Sequence, residues 1–220
     1  KVYGVPSEGW PWHPYTAAER AVNILDFGRR HGLPGPIADT LAILAAHGPV
    51  IAEKLEYFGD HNTSNHLSNN GRGLYLLGLA LGLRDCAEMG AEILIGEAER
   101  IFETSGILRE GSSHYHLLLA RNYAEVWLAA MKHARGEEPE LKRIAAKALA
   151  VLPRLVLPGG LPLVGDISPD CPPGHLLGLV LGSDVERGWT SLLDPADREA
   201  FAGLRDSAGT MDAEELRADG

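Results

Sequence analysis

What most constrains this chain is a period. Along most of its 220 residues apolar side chains recur at three- and four-residue steps, and no apolar-polar alternation lasts long enough for a strand. In "TAAERAVNILDFGRRHG" the residues Ala21, Ile24, Leu25 and Phe27 fall largely on one stripe, which predicts a helix from about Ala17 to Arg30. Thr16 with Glu19 offers a capping box at its start, and Gly32 a stop. "PGPIADTLAILAAHGPVIAEKLEYFG" continues the pattern but is interrupted at Gly48 and Pro49, predicting a kinked helix or a helix pair. Leu67, Leu74, Leu77 and Leu81 predict helix over about Ser64 to Leu83. The next helix is expected to begin at Asp85 as N-cap and to stop at Gly106. Further helices follow in "SSHYHLLLARNYAEVWLAAMKHARG" and "PELKRIAAKALAVLPRL". "VLPGGLPLVGDISPDCPPGHL" then predicts a long ordered loop, and "DPADREAFAGLR" a late short helix capped by Asp194 with Pro195 in its first turn. The expected class is all-α, with short loops that favour antiparallel neighbours.

Composition narrows the function. With 45% hydrophobic and 23% charged residues the chain is near the globular average, and its Leu and Ala abundance beside only four Phe leans towards helix. "LYLLGLALGL" is too short and too broken by glycine to span a bilayer, so no membrane partner is expected. A formal charge of −10 without a basic stripe argues against nucleic acid and anionic membranes, and an anionic ligand would need a local positive pocket. Cys86 and Cys171 lie far apart in different contexts, and nothing in their spacing argues for a disulfide. The first residue is Lys with no charged-then-apolar leader behind it, which suggests a trimmed chain. The polar, acidic "TMDAEELRADG" reads as a tail or the start of a linker, so a helical domain is expected over 1–190 and a short helix with tail over 191–220.

Three polar clusters stand out from the apolar frame. "GDHNTSNHLSNNGRG" crowds asparagine and histidine, middling helix formers, against a helix start. On a helix Asn65 and Asn69 share one face with His66 one residue round, so Asn62 or Ser64 caps the helix while the other amides either bond to loops or face something polar that is not protein. In "REGSSHYHLLLARNYAE" the H-x-H of His114 and His116 would share a face on a strand, but on a helix the two diverge by roughly 200°. With no HExxH or CxxC elsewhere, no metal and no cofactor is expected. "GWPWHPYTAAER" gathers Trp10, Trp12, His13 and Tyr15. These are packing staples or, because sugar rings present apolar faces, a carbohydrate platform.

"WPWHPYTAAERAVN", "SNHLSNNGRGLYLLGLAL", "EGSSHYH" and "GDISPD" occur in an order and spacing that resembles the helical N-terminal domain of the heparinase II/III-like polysaccharide lyases, which include alginate lyases. The resemblance spans about Trp10 to Asp170 and implies an incomplete (α/α) toroid built from antiparallel helix pairs. Its groove would hold an acidic polysaccharide. It implies a periplasmic or secreted location, a cytoplasmic one staying open, and as partner a C-terminal β-sandwich domain, with a second copy of the chain as the alternative. The family's Asn-His motif maps onto Asn65, which would neutralise the uronate carboxylate, and His66, which would assist. The Tyr of its Tyr-His motif, the proton donor and in some members also the base, maps onto Tyr115.

The chemistry suits these residue types. Elimination removes the C5 proton beside a carboxylate and expels the 4-oxygen, so amide and imidazole donors must stabilise growing enediolate charge. A phenol can exchange the proton if nearby positive charge lowers its pKa, and His66, His116, Arg72 and Arg121 are the candidate sources. Trp12, His13, Tyr15 and Asn69 would bind substrate alongside them. Glu110 is expected to orient a neighbour rather than react, and Asp166 and Asp170 to pin the loop. The expected function is thus a β-eliminative lyase acting on a uronate-containing polysaccharide. A non-catalytic carbohydrate-binding module with the same groove is the alternative, and a hydrolase using Glu110 and Asp166 is a third reading.

Overall fold

The computed structural model describes residues 6–59, 65–168, 171–180 and 187–211. Asn62, Ser64 and Asp170, for which a capping or pinning role was expected, lie outside the described residues. Regular structure among the described residues is helical: eight α-helices and three short 3-10 turns, with no strand. No described helix is long and apolar enough to cross a membrane. The chain divides into two compact units, 1–97 and 98–220, each with its own packing.

In the first unit a 3-10 turn, Trp10–Trp12, leads into α1 (Pro14–His31), followed by α2 (Ile37–Glu53), α3 (Asn65–Leu81) and α4 (Arg84–Ile101), whose residues up to Glu97 belong here. α1, α2 and α3 pack on one another around Ala17, Ala18, Ile51 and Leu74 and a second group of Ala21, Leu44 and Leu77. The glycines of "GRGLYLLGLALG" serve this packing. A Cβ on Gly73 would lie 2.6 Å from Ala18 Cβ, and one on Gly78 would lie 2.4 Å from Ala87 N. Only glycine lets α3 approach α1 and α4 so closely.

Two local expectations are corrected here. α1 begins at Pro14, with His13 as an N-cap whose side chain makes no capping bond, so Thr16 and Glu19 form no capping box. Pro14 suits the first helical position because its N–H would be unpaired there anyway. α2 runs as one helix over Ile37–Glu53 with Pro49 inside it, so no helix pair forms. Gly48 sits where a Cβ would come within 2.9 Å of Cys86 Sγ. The expected stop at Gly32 is observed, with φ 80° and its N–H on Gly28 O.

In the second unit α5 (Ser113–Lys132), α6 (Glu138–Leu155) and α8 (Pro195–Gly209) pack on one another, with the short α7 (Pro173–Leu176) against α5. Ser112 caps α5 by accepting from Tyr115 N–H at 3.0 Å, and Asp194 caps α8 by accepting from Asp197 N–H at 2.9 Å. Trp127 Nε1–H donates to Glu138 Oε1 at 2.6 Å, tying the middle of α5 to the start of α6. α4 ends at Ile101, short of the stop expected at Gly106, and Asp85 lies inside its first turn rather than capping it. Gly106 instead closes a turn after the helix, at φ 83°.

Candidate functional site

The polar groups of the first unit converge on a carboxylate that sequence reasoning missed. Glu56 lies just beyond α2 and is buried. Its backbone N–H donates to Asn70 Oδ1 at 3.0 Å, while Asn70 Nδ2–H donates to its Oε2 at 3.1 Å. This reciprocal clamp fixes the segment after α2 against α3. The other oxygen, Oε1, accepts from His66 Nδ1–H at 2.7 Å and lies 3.7 Å from His13 Nε2. Burial pushes the Glu56 carboxyl up, but the hydrogen bonds from His66 and Asn70 and the charges of His66 and His13 outweigh it, so the group titrates below the usual carboxylate range. With the carboxylate accepting from Nδ1–H, the His66 tautomer is set. The His66 side chain is 45% exposed, and its ring lies 4.8 Å from that of Tyr15. No signal in the local sequence singles out Glu56. It sits in "EKLEYFG", ten residues from His66, and only the return of the chain onto α3 joins them.

Around this pair the other predicted residues take unequal parts. Asn65 opens α3 and is 8% exposed. Asn69 does not face a water-filled groove. It is 2% exposed, donating to Tyr15 O at 3.5 Å and accepting from Arg72 Nη1 at 3.4 Å. Arg72 is likewise buried, its guanidinium paired with Glu19 at 2.8 Å. A second network lies beneath Trp12. His47, fully buried, donates Nδ1–H to Ile43 O at 2.7 Å and accepts from Arg20 Nε–H at 2.9 Å, while the Arg20 guanidinium sits 4.6 Å over the Trp12 ring. Burial, with the Arg20 charge beside it, keeps the His47 imidazole neutral against the pull of its carbonyl partners. Near the surface Gly9, Trp10, Trp12, His13, Pro14 and Lys54 line an open cleft of about 230 Å³, and His13 belongs both to this cleft and to the Glu56 cluster.

In the second unit the "EGSSHYH" and "GDISPD" motifs are tied to each other. Ser112 Oγ–H donates to Asp166 O, 2.5 Å away, and Ser113 Oγ–H donates to Pro162 O at 2.6 Å while accepting from Val164 N–H at 2.9 Å. Ser113 N–H donates to Val164 O at 3.0 Å, and His114 Nδ1 accepts from Ser168 N–H at 3.0 Å. The start of α5 thus holds residues 162–168 of the segment after α6. Asp166 contributes a backbone carbonyl and leaves its side chain exposed. His116 is buried, accepting from Leu108 N–H at 3.2 Å and donating Nε2–H to Ala148 O at 2.9 Å. Burial holds it neutral, so it supplies no positive charge to a neighbouring phenol, contrary to the sequence expectation.

Tyr115, between the two histidines, is half-buried with its ring 6.3 Å from that of His114. Glu110 is exposed on the turn before α5, and Arg121 pairs with Glu125 at 3.7 Å. Among the described residues no three His, Cys, Asp or Glu groups are placed to hold a metal ion. The first unit thus brings together His13, Tyr15, His66 and the unpredicted Glu56 and Asn70, while Tyr115, Glu110, His116 and Arg121 belong to the second. No protein-family model, no curated protein and no solved structure matches this chain.

Proposed function

We propose that this chain binds a uronate-containing acidic polysaccharide and cleaves it by β-elimination, as the helical part of a lyase of the heparinase II/III-like kind with its helices arranged as an incomplete (α/α) toroid. The observation that carries the reading is the half-exposed His66 imidazole, held at 2.7 Å by the buried Glu56 carboxylate with Asn65 next to it in the chain. In the reaction a base removes the C5 proton, the C–H electrons form the C4–C5 double bond, and the C4–O4 bond breaks as an acid protonates O4. Glu56 fixes Nδ1 as the protonated nitrogen of His66 and stabilises the imidazolium. The exposed part of the His66 ring then faces either the proton to be removed or the developing enediolate. The Asn65 amide shares the charge on the carboxylate.

The test incubates the full chain with uronate polymers and follows the near-ultraviolet absorbance of the unsaturated product. His66→Gln is expected to lower turnover by about a thousandfold, within the range of lost acid-base catalysis, with an unchanged circular dichroism spectrum. Undiminished turnover in that variant defeats the assignment. A second reading, a glycan-binding module without chemistry, is favoured by one observation: Asn69, Arg72 and His116 already spend polar atoms on internal bonds. Its mark is glycan binding with no unsaturated product.

A further inference from the structure

We infer that the open cleft beside Trp10 is a binding site for a single carboxylate-bearing pyranose ring, with Trp10 against the ring's apolar face and Lys54 on its carboxylate. The inference rests on the proposed function for the class of sugar, but its test involves no bond cleavage. Trp10 is 80% exposed and stands on a turn of the backbone. Its turn is closed by Trp12 N–H on Gly9 O at 3.0 Å and His13 N–H on Trp10 O at 3.2 Å. Trp12, only 1% exposed, anchors that turn with its ring 4.8 Å from that of His47. The outcome is a turn of fixed backbone that presents the indole to solvent, its ring 5.3 Å from that of His13.

Lys54 forms part of the cleft lining at the end of α2, exposed and with no carboxylate partner among the described residues. An aromatic wall with one unpaired cation at its edge matches a ring that is apolar on one face and carries one negative substituent. Trp12 adds a buried indole N–H with no acceptor among the described residues. The cleft's 230 Å³ is below the roughly 300–1,000 Å³ typical of pockets for drug-sized ligands, which suits one ring rather than an oligomer. Glu8 and Glu53, exposed and close in sequence to the cleft residues, cancel long-range attraction, so binding is weak and of short range. His13 shares this cleft with Trp10 and Glu56 with His66, so a sugar seated here borders the Glu56 cluster.

Trp10 supplies its own reporter, because Trp12, Trp127 and Trp189 are 1%, 3% and 5% exposed and iodide quenches only an exposed indole. Titrating the full chain with galacturonate is expected to change Trp10 emission saturably and to protect it from iodide. Glucose, the same kind of ring without a carboxylate, is expected to bind about fivefold more weakly, the scale of one exposed ion pair. Lys54→Met should bring galacturonate down to the affinity of glucose and leave glucose unchanged. Trp10→Ala, followed by ligand-observed NMR, should lose both sugars. Both side chains are exposed, so neither variant threatens folding. No saturable change, equal affinity for the two sugars, or galacturonate binding untouched by Lys54→Met overturns the inference. Galacturonate binding in a chain that yields no unsaturated product from polymer leaves this site standing and removes the lyase reading.

Discussion

Two helix starts, "NHLSNN" on α3 and "SSHYH" on α5, use nearly the same residue types and meet opposite fates. On α3 His66 keeps an imidazole nearly half in solvent, with one nitrogen held by Glu56. On α5 His114 and His116 are both buried, and Ser112, Ser113 and His114 hold backbone groups of the loop after α6. His116 goes further, with both ring nitrogens engaged by main-chain partners. The difference teaches that a polar cluster at a helix start is buried where backbone groups in need of partners run past it, and stays partly in solvent where a carboxylate meets it instead. Buried amides and carbonyls must be paired, and the nearest side chains are recruited to pair them.

Substituting the two histidines is the strongest way to break this comparison. His66→Ala is expected to leave stability within about 1 kcal/mol, since the side chain is half-exposed, while, under the proposed lyase function, cutting turnover about 10²- to 10⁴-fold. His116→Ala leaves the Leu108 N–H unpaired beside a cavity, which costs about 3–5 kcal/mol in urea denaturation. If the two variants exchange these signatures, the assignment of one histidine to chemistry and the other to packing is wrong.

Ser113→Ala tests the clamp alone. Loss of its bonds to Pro162 and Val164 is expected to cost about 1–2 kcal/mol and to speed proteolysis within 156–168. An unchanged cleavage rate would show that the loop holds itself.

Acid gives the smallest effect and sharpens the contrast. Burial lowers the pKa of His47 and of His116 below the ordinary 6.5. As pH falls, the unfolded chain therefore takes up protons before the folded one does. The stability from these two groups is fully present above 6.5 and is lost as pH falls from there through their folded values. Denaturation midpoints should drop between pH 7.5 and 5.5, and His116→Gln should flatten the slope. Glu56, whose pKa is also lowered, adds a loss only further down, below its unfolded value of 4.5.

Much of the helical frame was readable from residue spacing. The three- and four-residue recurrence of Leu74, Leu77 and Leu81 marks α3, and Asp194 with Pro195 marks the start of α8, because both signals act within one or two turns. Thr16 and Glu19 misled because α1 already starts at Pro14, and the Glu19 carboxylate is instead paired with Arg72, fifty-three residues away. The site was half legible. His13, Tyr15 and His66 are conspicuous as polar or aromatic residues at helix starts, whereas Glu56 resembles any surface glutamate until Asn70 and His66 close on it.

By itself the sequence determined that the chain is helical and roughly where its helices run, since the periodicity of apolar residues and the capping at chain breaks are local properties of a few consecutive residues. Only the tertiary structure decided which polar side chains are spent inside and which remain to do work. That choice depends on which unpaired amide, carbonyl or carboxylate the folded chain brings within about 3 Å, the range of a hydrogen bond, and no local pattern encodes it.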